Sequence, residues 1–335
     1  MFAPQAWFVV AASYVALLFA YGLPQDFQYA APSYIALTWV ALMIRTFLYH
    51  LGLLLVVITG VALTLRRRWL TLAALPLVVV TIGPEVSRWI PRRPPATAGE
   101  AVTVMTVNLL YANQDTAPLI GEIRTARPDI LLLQEYTPEW HLAVQHALGT
   151  EYPFVQQVVR DDSFGSAVYA RRDFTGPVDT GLPLGSWDLP QMRAVISIAG
   201  RHVALYNIHL LPPRNLTYAA EQRVEFGALL ALLQAEELPI VLCGDFNFAG
   251  RSAFADELER LGLRDVHAIS GWGRGATWPV LGLFRALPGI RLDHIYVSGE
   301  LTSSTCRTGT GQGSDHRPVV GVIGFADLDG PDARR

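Results

Sequence analysis

Two uncharged apolar runs near the start constrain this chain more than any other feature. Ala6 to Leu23 is almost wholly Ala, Val, Leu, Phe and Tyr; Leu48 to Leu65 is similar and stops abruptly at Arg66-Arg67-Arg68. A helix crossing a bilayer needs about 20 such residues, within a range of roughly 17–25, so both runs qualify. Trp69 to Ile82 is a third run, short unless it continues towards Trp89; Trp69 and Trp89 stand where interfacial aromatics gather. Ser33 to Leu65 is too long for one upright span and too short for two with a turn, and Arg45 and His50 interrupt it. One long tilted helix fits it, and so does a short interfacial piece feeding a span. A signal peptide is disfavoured because the first run lacks a basic leading region and more apolar segments follow. Buried helices of a soluble protein are disfavoured by the arginine-bounded lengths and the near-absence of acids. Residues 1–90 are therefore expected to form an anchor of about three transmembrane helices.

Charge sharpens the division. Only 16% of residues are charged, against about 25% in an ordinary soluble domain. Residues 1–99 hold seven Arg and two acids, a net of +5; residues 100–335 hold 19 Arg and 27 acids, a net of −8. No Lys occurs, which reads as a coding bias. Three spans put the N-terminus and Arg66–Arg68 on one side, which the positive-inside rule makes cytoplasmic. The C-terminal part is then expected outside the cytoplasm, on a bacterial inner or cell membrane. Arg88, Arg92 and Arg93, at the far end of the third span, pull against that orientation. A Pro-rich stretch over 91–100 reads as a linker. Cys243 and Cys306 are too few for a disulfide scaffold or a Cys-based zinc site, and a single bridge between them stays open.

The remainder, 101–326 with a tail over 327–335, reads as an α/β (α+β) domain. Val- and Ile-rich strands are expected over 101–109, 130–134, 166–170, 194–198, 203–208, 239–243, 290–297 and 319–323. Helices are expected over 116–126, 216–237 and 252–261, the second with Val224, Leu229, Leu230, Leu232 and Leu233 on its apolar face. Short strands mixed with occasional helices suggest sheets sandwiched together and covered by helices.

Several of these strands end in polar residues that no core needs: Asn108, Gln134 and Glu135, Asn207 and His209, Asp245 and Asn247. Asp315 and His316 follow a Gly/Ser loop and precede a strand. In open sheets, ligands gather where strands end. Residues two apart on a strand share a face, so Asp245 and Asn247 are expected to point together, with Phe246 turned into the core. Gly244 permits a backbone turn that a side chain would hinder. A carboxylate and an amide side by side can hold a water and accept its proton. Glu135, Asp245, Asp315, Asn108 and Asn247 form an oxygen-rich donor set, which suits Mg²⁺ or Mn²⁺ better than Zn²⁺. His209 and His316 are candidates for acid–base work, and Asp293 could orient an imidazole. Any one of these residues alone is more often a turn former or a cap; it is the ordered set that carries the reading.

Thr106-Val107-Asn108, Leu133-Gln134-Glu135, Tyr206-Asn207-Ile208-His209, Gly244-Asp245-Phe246-Asn247, Arg291-Leu292-Asp293-His294-Ile295 and Gly313-Ser314-Asp315-His316-Arg317-Pro318 follow in that order. The series resembles the endonuclease/exonuclease/phosphatase superfamily, the fold of deoxyribonuclease I, over about residues 101–324. The resemblance implies a four-layer sandwich of two mixed β-sheets flanked by helices. It implies that Glu135 is the main metal ligand, with Asn108 beside it and Asp315 in support. Asp245 and Asn247 would position and activate the attacking water, and His209 would contact the scissile phosphate or leaving group. His316, held by Asp293, would stabilise the transition state or move a proton. Arg193 would contact the phosphate, and Thr277-Trp278-Pro279 would form a loop near the site. Asn108 is followed by Leu109-Leu110-Tyr111, without the acidic residue that abasic-site endonucleases carry there.

These features point to a membrane-anchored, metal-dependent phosphoesterase acting on a lipid or small phosphate ester. A nuclease is the alternative. Duplex binding draws affinity from Lys and Arg on phosphates, and a domain at −8 lacks that footprint. A non-catalytic membrane receptor or scaffold on an inherited fold is a third reading, which the complete residue set opposes.

Overall fold

The computed structural model describes residues 2–29 and 31–327; apart from Asp327, the expected tail lies outside them. Four helices open the chain: α1 (Phe2–Gly22), α2 (Pro32–Thr46), α3 (Leu48–Thr64) and α4 (Arg68–Ser87). α1 and α4 are each long and apolar enough to cross a membrane. α2 and α3 reach that standard only together, and they meet at a 57° bend. One continuous tilted helix over 33–65 is thus not what forms; a separate short piece feeds α3.

The bend has a cause outside the helix. The Arg45 guanidinium donates to the backbone carbonyl of Arg251 at 2.5 Å and to Asp256 at 2.6 Å, and Trp39 Nε1 donates to the Pro213 carbonyl at 2.7 Å. These bonds hold α2 on the following domain, while α3 stays with α4. Gly52 lets α3 and α4 approach: a Cβ there would lie 2.6 Å from Ile82 Cδ1.

The rest of the chain forms β1 (Thr97–Asn108), α5 (Ala117–Ala126), β2 (Ile130–Gln134), α6 (Pro138–Leu148), β3 (Phe154–Val158), β4 (Ser166–Ala170), β5 (Met192–Ile198) and β6 (Arg201–His209). Then come α7 (Leu216–Ala235), β7 (Ile240–Asp245), α8 (Ala253–Arg260), β8 (Arg264–Asp265), α9 (Val266–Ser270), β9 (Asp293–Val297), β10 (Leu301–Thr308) and β11 (Val319–Ala326). One sheet has the order β10-β11-β1-β2-β4-β3 and the other β5-β6-β7-β9-β8. Both are mixed: β1 with β2 and β6 with β7 are parallel, and the other pairs are antiparallel.

Alternation along the strands builds the layers. Val104, Leu132 and Val168 meet Ala194, Leu205, Val241 and Ile295 between the sheets. Met105, Val107, Leu131 and Leu133 face the other way, onto Ile123, Trp140 and Val144 of α5 and α6. Tyr206, Ile208 and Leu242 lie under Phe226, Leu229 and Phe254 of α7 and α8. β2 is buried at every position because helices or sheet cover both its faces; each such leucine contributes roughly 2 kcal/mol on leaving water. Cys243 and Cys306 are both buried and unpaired.

The N-terminal module contributes to this core. Leu42 belongs to the cluster under α7, and the Phe27 ring lies 4.8 Å from the rings of both Phe226 and Phe254. Arg223 of α7 donates to Gln25 Oε1 at 3.1 Å and to the Asp26 carbonyl at 2.6 Å. The expected linker is partly sheet, because β1 begins at Thr97, where it pairs with Ala326. α7 buries Leu229 and Leu233 of its expected face and packs Leu230 and Leu232 against the same cluster, but the buried stripe extends further than expected. Gln222, Arg223 and Glu225 are buried, while Val224 is 46% exposed.

Candidate functional site

Strand ends bring the polar residues together. Asn108 ends β1, Glu135 follows β2, His209 ends β6, Asp245 ends β7 and Asp293 begins β9. The registers align them, with Asn108 opposite Gln134, His209 opposite Asp245 and Asp245 opposite Asp293. Asn108, Glu135, His209, Asp245, Asn247, Asp315 and His316 line one cleft of about 350 Å³.

The backbone under this cleft is strained. Leu110, Glu135 and Asn247 have φ of 61°, 57° and 52°, a region that costs a non-glycine residue roughly 1–3 kcal/mol. Gly244, at φ 139°, is obligatory: a Cβ would sit 1.8 Å from the Ile208 carbonyl oxygen. The turn at 245–247 is not continued strand. The Asn247 amide N–H donates to Asp245 Oδ1 at 3.0 Å, and its side chain donates to the Leu210 carbonyl at 2.9 Å. Asp245 and Asn247 do face one cleft while Phe246 is fully buried, but a left-handed turn achieves this rather than strand alternation.

Two carboxylates converge on Asn108. Its Nδ2 donates to Glu135 Oε1 and to Asp245 Oδ2, each at 3.0 Å, while its Oδ1 accepts from the Leu110 N–H at 3.0 Å. Glu135 Oε2 accepts from the Tyr111 N–H at 2.6 Å. Burial raises the Glu135 carboxyl pKa above its ordinary range. It raises that of Asp245 too, against the pull of the neighbouring histidines. A buried and a partly buried carboxylate that share one amide NH₂ favour positive charge there, and this oxygen-rich donor set fits a hard divalent cation.

On the opposite side, His316 Nδ1 lies 2.8 Å from Asp293 Oδ2, and its Nε2 lies 3.7 Å from Asp245 Oδ2. Burial disfavours the imidazolium, but Asp293 and Asp245 outweigh it and push the His316 pKa up to about 10. Asp245, Asp293 and His316 also bring ligand-type atoms within 4.8 Å of one another; the short His316–Asp293 hydrogen bond accounts for that closeness as a histidine–carboxylate pair. His209 differs. Burial lowers its pKa, its Nε2 is 3.7 Å from Asp245 Oδ2, and its buried Nδ1 has no partner among the described residues. Asp315 Oδ2 accepts from Trp278 Nε1 at 3.2 Å, so the Thr277-Trp278-Pro279 loop does reach the cleft.

Arg193 is not brought to the cluster. On β5 its neighbours Met192 and Ala194 point inward, so Arg193 points to the opposite face, where Nε donates to Glu236 at 2.7 Å. The arginine that lines the cleft is Arg214, with its guanidinium 4.0 Å from the centre of the Tyr218 ring. No motif marks Arg214.

Three glutamines support the site, and of these the sequence marks only Gln134, as a polar residue ending a strand. Gln191 bonds both the N–H and the carbonyl of His209 at 2.7 Å. Gln222 donates to the carbonyls of Phe246 and Asn247. Gln134 donates to Asn207, which itself donates to Leu133, Ser166 and Ala167 across the gap between the sheets.

A family model described as the endonuclease/exonuclease/phosphatase family matches residues 105–316. No curated protein matches by sequence. Among solved structures, truncated TDP2 from Caenorhabditis elegans is similar with a TM-score of 0.55 and 21% identity, covering 69% of this chain and 100% of that one. The 3' phosphatase NExo from Neisseria, bound to a product DNA hairpin, gives a TM-score of 0.53 at 22% identity, over 66% of this chain and 98% of that one. A family protein from Leptotrichia buccalis gives 0.55 at 16% identity, over 67% and 100%. At these identities the likeness is one of fold.

Proposed function

This chain belongs to the endonuclease/exonuclease/phosphatase family of metal-dependent phosphoester hydrolases, and on that premise we propose that it is a membrane-anchored phosphoesterase acting by activated-water attack on a lipid or other small phosphate ester. The observation that carries the reading is the cleft itself. It gathers the acid–base residues, and Met43, Thr46 and Phe47 of the N-terminal module form part of its wall.

The roles follow from the hydrogen bonds. Asn247 spends its NH₂ on the Leu210 carbonyl, which leaves its Oδ1 to orient a water. Asp245, its basicity raised by burial, accepts the water's proton. His209, its pKa lowered by burial and its Nδ1 without a partner among the described residues, contacts the phosphate or the leaving oxygen. His316, kept protonated by Asp293, faces the charge that develops on the phosphoryl oxygens. Glu135, with Asn108 and Asp315, would hold Mg²⁺ or Mn²⁺, which when bound neutralises phosphate charge. Arg214 is the cation placed to meet the substrate phosphate.

The anchor reading rests on the apolar α1 and α4, and on α3 taken together with α2 as one bent span. It places the N-terminus and Arg66–Arg68 in the cytoplasm and the catalytic domain outside. Arg88, at the opposite end of α4, lies 3.7 Å from Glu85, which offsets one of the positive charges there.

Because α2 is part of the domain core, the test uses the full chain in detergent. Bis-p-nitrophenyl phosphate, phospholipids, sphingomyelin and plasmid DNA are offered with Mg²⁺ or with EDTA. Metal-dependent turnover that is lost in Asp245→Ala and His316→Ala is expected, and turnover surviving both changes refutes the assignment. Cleavage of DNA with no lipid or small ester turned over would establish the nuclease reading instead. That reading draws on relatives such as D. rerio TDP2, whose structure holds a single-strand DNA product. A C-terminal alkaline phosphatase fusion active only in the cytoplasm would reverse the orientation.

A further inference from the structure

The catalytic cleft does not end at its polar residues. Phe47, Trp278 and Ile290 each line both that cleft and a second chamber of about 200 Å³. The further walls of the second chamber are His50, Pro279, Phe284, Leu287 and Pro288. The two spaces therefore adjoin through a shared wall: one gathers the carboxylates and imidazoles among apolar side chains such as Met43, Phe164 and Leu292, and the other is lined almost wholly by hydrocarbon.

Two elements make the apolar chamber. One is the break between α2 and α3, whose 57° bend sets Phe47 at the corner. The other is the loop over 278–290. It is fastened to the helix by His50 Nε2 and the Pro288 carbonyl at 2.7 Å, and to the catalytic cleft by Trp278 Nε1 and Asp315 at 3.2 Å. The loop leaves Leu283 87% exposed, Phe284 62% and Leu287 55%. A short exposed segment that rich in large apolar side chains marks an interaction surface, and it stands beside a helix apolar enough to be part of a membrane span. His50 also carries a buried Nδ1 with no partner among the described residues, which leaves a polar contact at the edge of the chamber.

We propose that this chamber receives the hydrocarbon chain of an amphiphilic phosphate ester, so that the substrate lies with its phosphate in the cleft over the Asp245–His316 pair and its chain along Phe47, Phe284 and Leu287. This rests on the phosphoesterase reading above and narrows its substrate class to single molecules with a long alkyl portion. The exposed loop offers such a molecule an apolar path out of a bilayer, and the bend in the anchor forms the corner it passes. A wholly water-soluble ester would leave the chamber empty.

The test uses the full chain in detergent with Mg²⁺ and a series of monoalkyl p-nitrophenyl phosphates, from ethyl to dodecyl, at fixed mole fraction. The proposal expects kcat/KM to rise at least about 10-fold from ethyl to dodecyl. In a Phe284→Asp/Leu287→Asp variant that ratio should collapse towards one. Leu142→Asp removes an equally exposed apolar side chain from α6, 70% exposed, and should keep the wild-type ratio. Equal ratios in wild type and the double variant, or no chain-length preference in wild type with normal ethyl turnover, overturn this proposal and leave the phosphoesterase reading standing. A second readout does not need turnover. A diazirine-bearing dodecyl phosphonate should label peptides spanning 47–50 and 279–288, with labelling blocked by excess dodecyl phosphonate but not by ethyl phosphonate. Label confined to other peptides refutes the chamber. Turnover of no ester at all, with this specific label present, would refute the phosphoesterase reading alone.

Discussion

Gly244→Ala tests whether the close approach of β6 and β7 sets the catalytic geometry. The new Cβ would lie 1.8 Å from the Ile208 carbonyl oxygen, 2.8 Å from its carbon and 2.9 Å from its nitrogen, and contacts under 3.0 Å are essentially never seen. All three atoms are backbone in paired strands, so no flexible tip can swing away; relief needs a strand displacement of about 1.2 Å. The φ of 139° adds strain for any side chain, of roughly 1–3 kcal/mol, and overpacking adds roughly another 1–3 kcal/mol. Together they amount to about 4 kcal/mol. At about 2–4 °C per kcal/mol for a domain of this size, Tm should fall by roughly 8–16 °C. The displacement reaches His209 and Asp245, the next residues on the two strands and paired in register. Turnover should therefore fall about 100-fold even at temperatures where the variant is folded, since a misplacement near 1 Å costs about that much. Differential scanning fluorimetry and bis-p-nitrophenyl phosphate hydrolysis, both on the full chain, supply the two numbers. Gly121→Ala is the control: it sits in α5 with nothing within 4 Å of its Cβ, and should raise stability by about 0.5–1 kcal/mol. A Tm within about 2 °C of wild type together with turnover within about twofold would refute the reasoning.

Three further outcomes are expected. Asp293→Asn removes the carboxylate that keeps His316 protonated to about 10; the His316 pKa drops towards neutrality, so the loss in kcat should be larger at pH 8.5 than at pH 6, and a parallel loss at both would disprove the role. Glu225 is buried, and its pKa is raised to about 8. Its proton is therefore held more tightly folded than unfolded, so its stabilising contribution is whole below about pH 4.5 and is lost as pH rises through 8. Glu225→Gln should then raise stability relative to wild type at pH 9, by on the order of a few kcal/mol and read as a higher Tm, and not at pH 5; equal Tm differences at both pH values would count against it. EDTA should abolish turnover, Mg²⁺ or Mn²⁺ should restore it, and Glu135→Gln should raise the metal concentration needed for half-activity by at least about 10-fold; an unchanged requirement would remove Glu135 from the metal site.

Much of the candidate site was legible because a polar residue ending an apolar strand has no role in the core. Asn108, Glu135, His209, Asp245 and Asn247 reached one cleft on that logic, and Asp315 and His316, marked by a Gly/Ser loop before a strand, reached it too. Arg193 did not, because its motif fixes no face, and β5 turns it towards Glu236. Gln191 and Gln222 were invisible for another reason. They act on backbone atoms of His209, Phe246 and Asn247 that are distant in sequence, so no local pattern identifies them. The same holds for α7: Gln222, Arg223 and Glu225 resemble a solvated stripe, yet they cover the 245–247 turn, the 25–26 segment and the Leu211 N–H. In the fold, α6, β3, β8, α9 and β10 went unassigned. α6 is marked by a Thr137 cap and Pro138 in its first turn rather than by a long periodic run, and β3 is half-buried throughout.

The seating of Phe27 and Leu42 beneath α7 has a consequence for how the molecule is made. Domains fold largely in the order of their synthesis. Phe27 and Leu42 leave the ribosome well before Phe226 and Phe254, the rings that the cluster under α7 joins to them. The second sheet therefore does not collapse in isolation. Its helical layer closes onto Phe27 and Leu42, and these residues, synthesised first, would serve it as an intramolecular template. A nascent chain carrying Phe27→Asp would present that template with a charge where two aromatic rings must land. The fault would show as slow or failed maturation of a domain whose own sequence is unaltered.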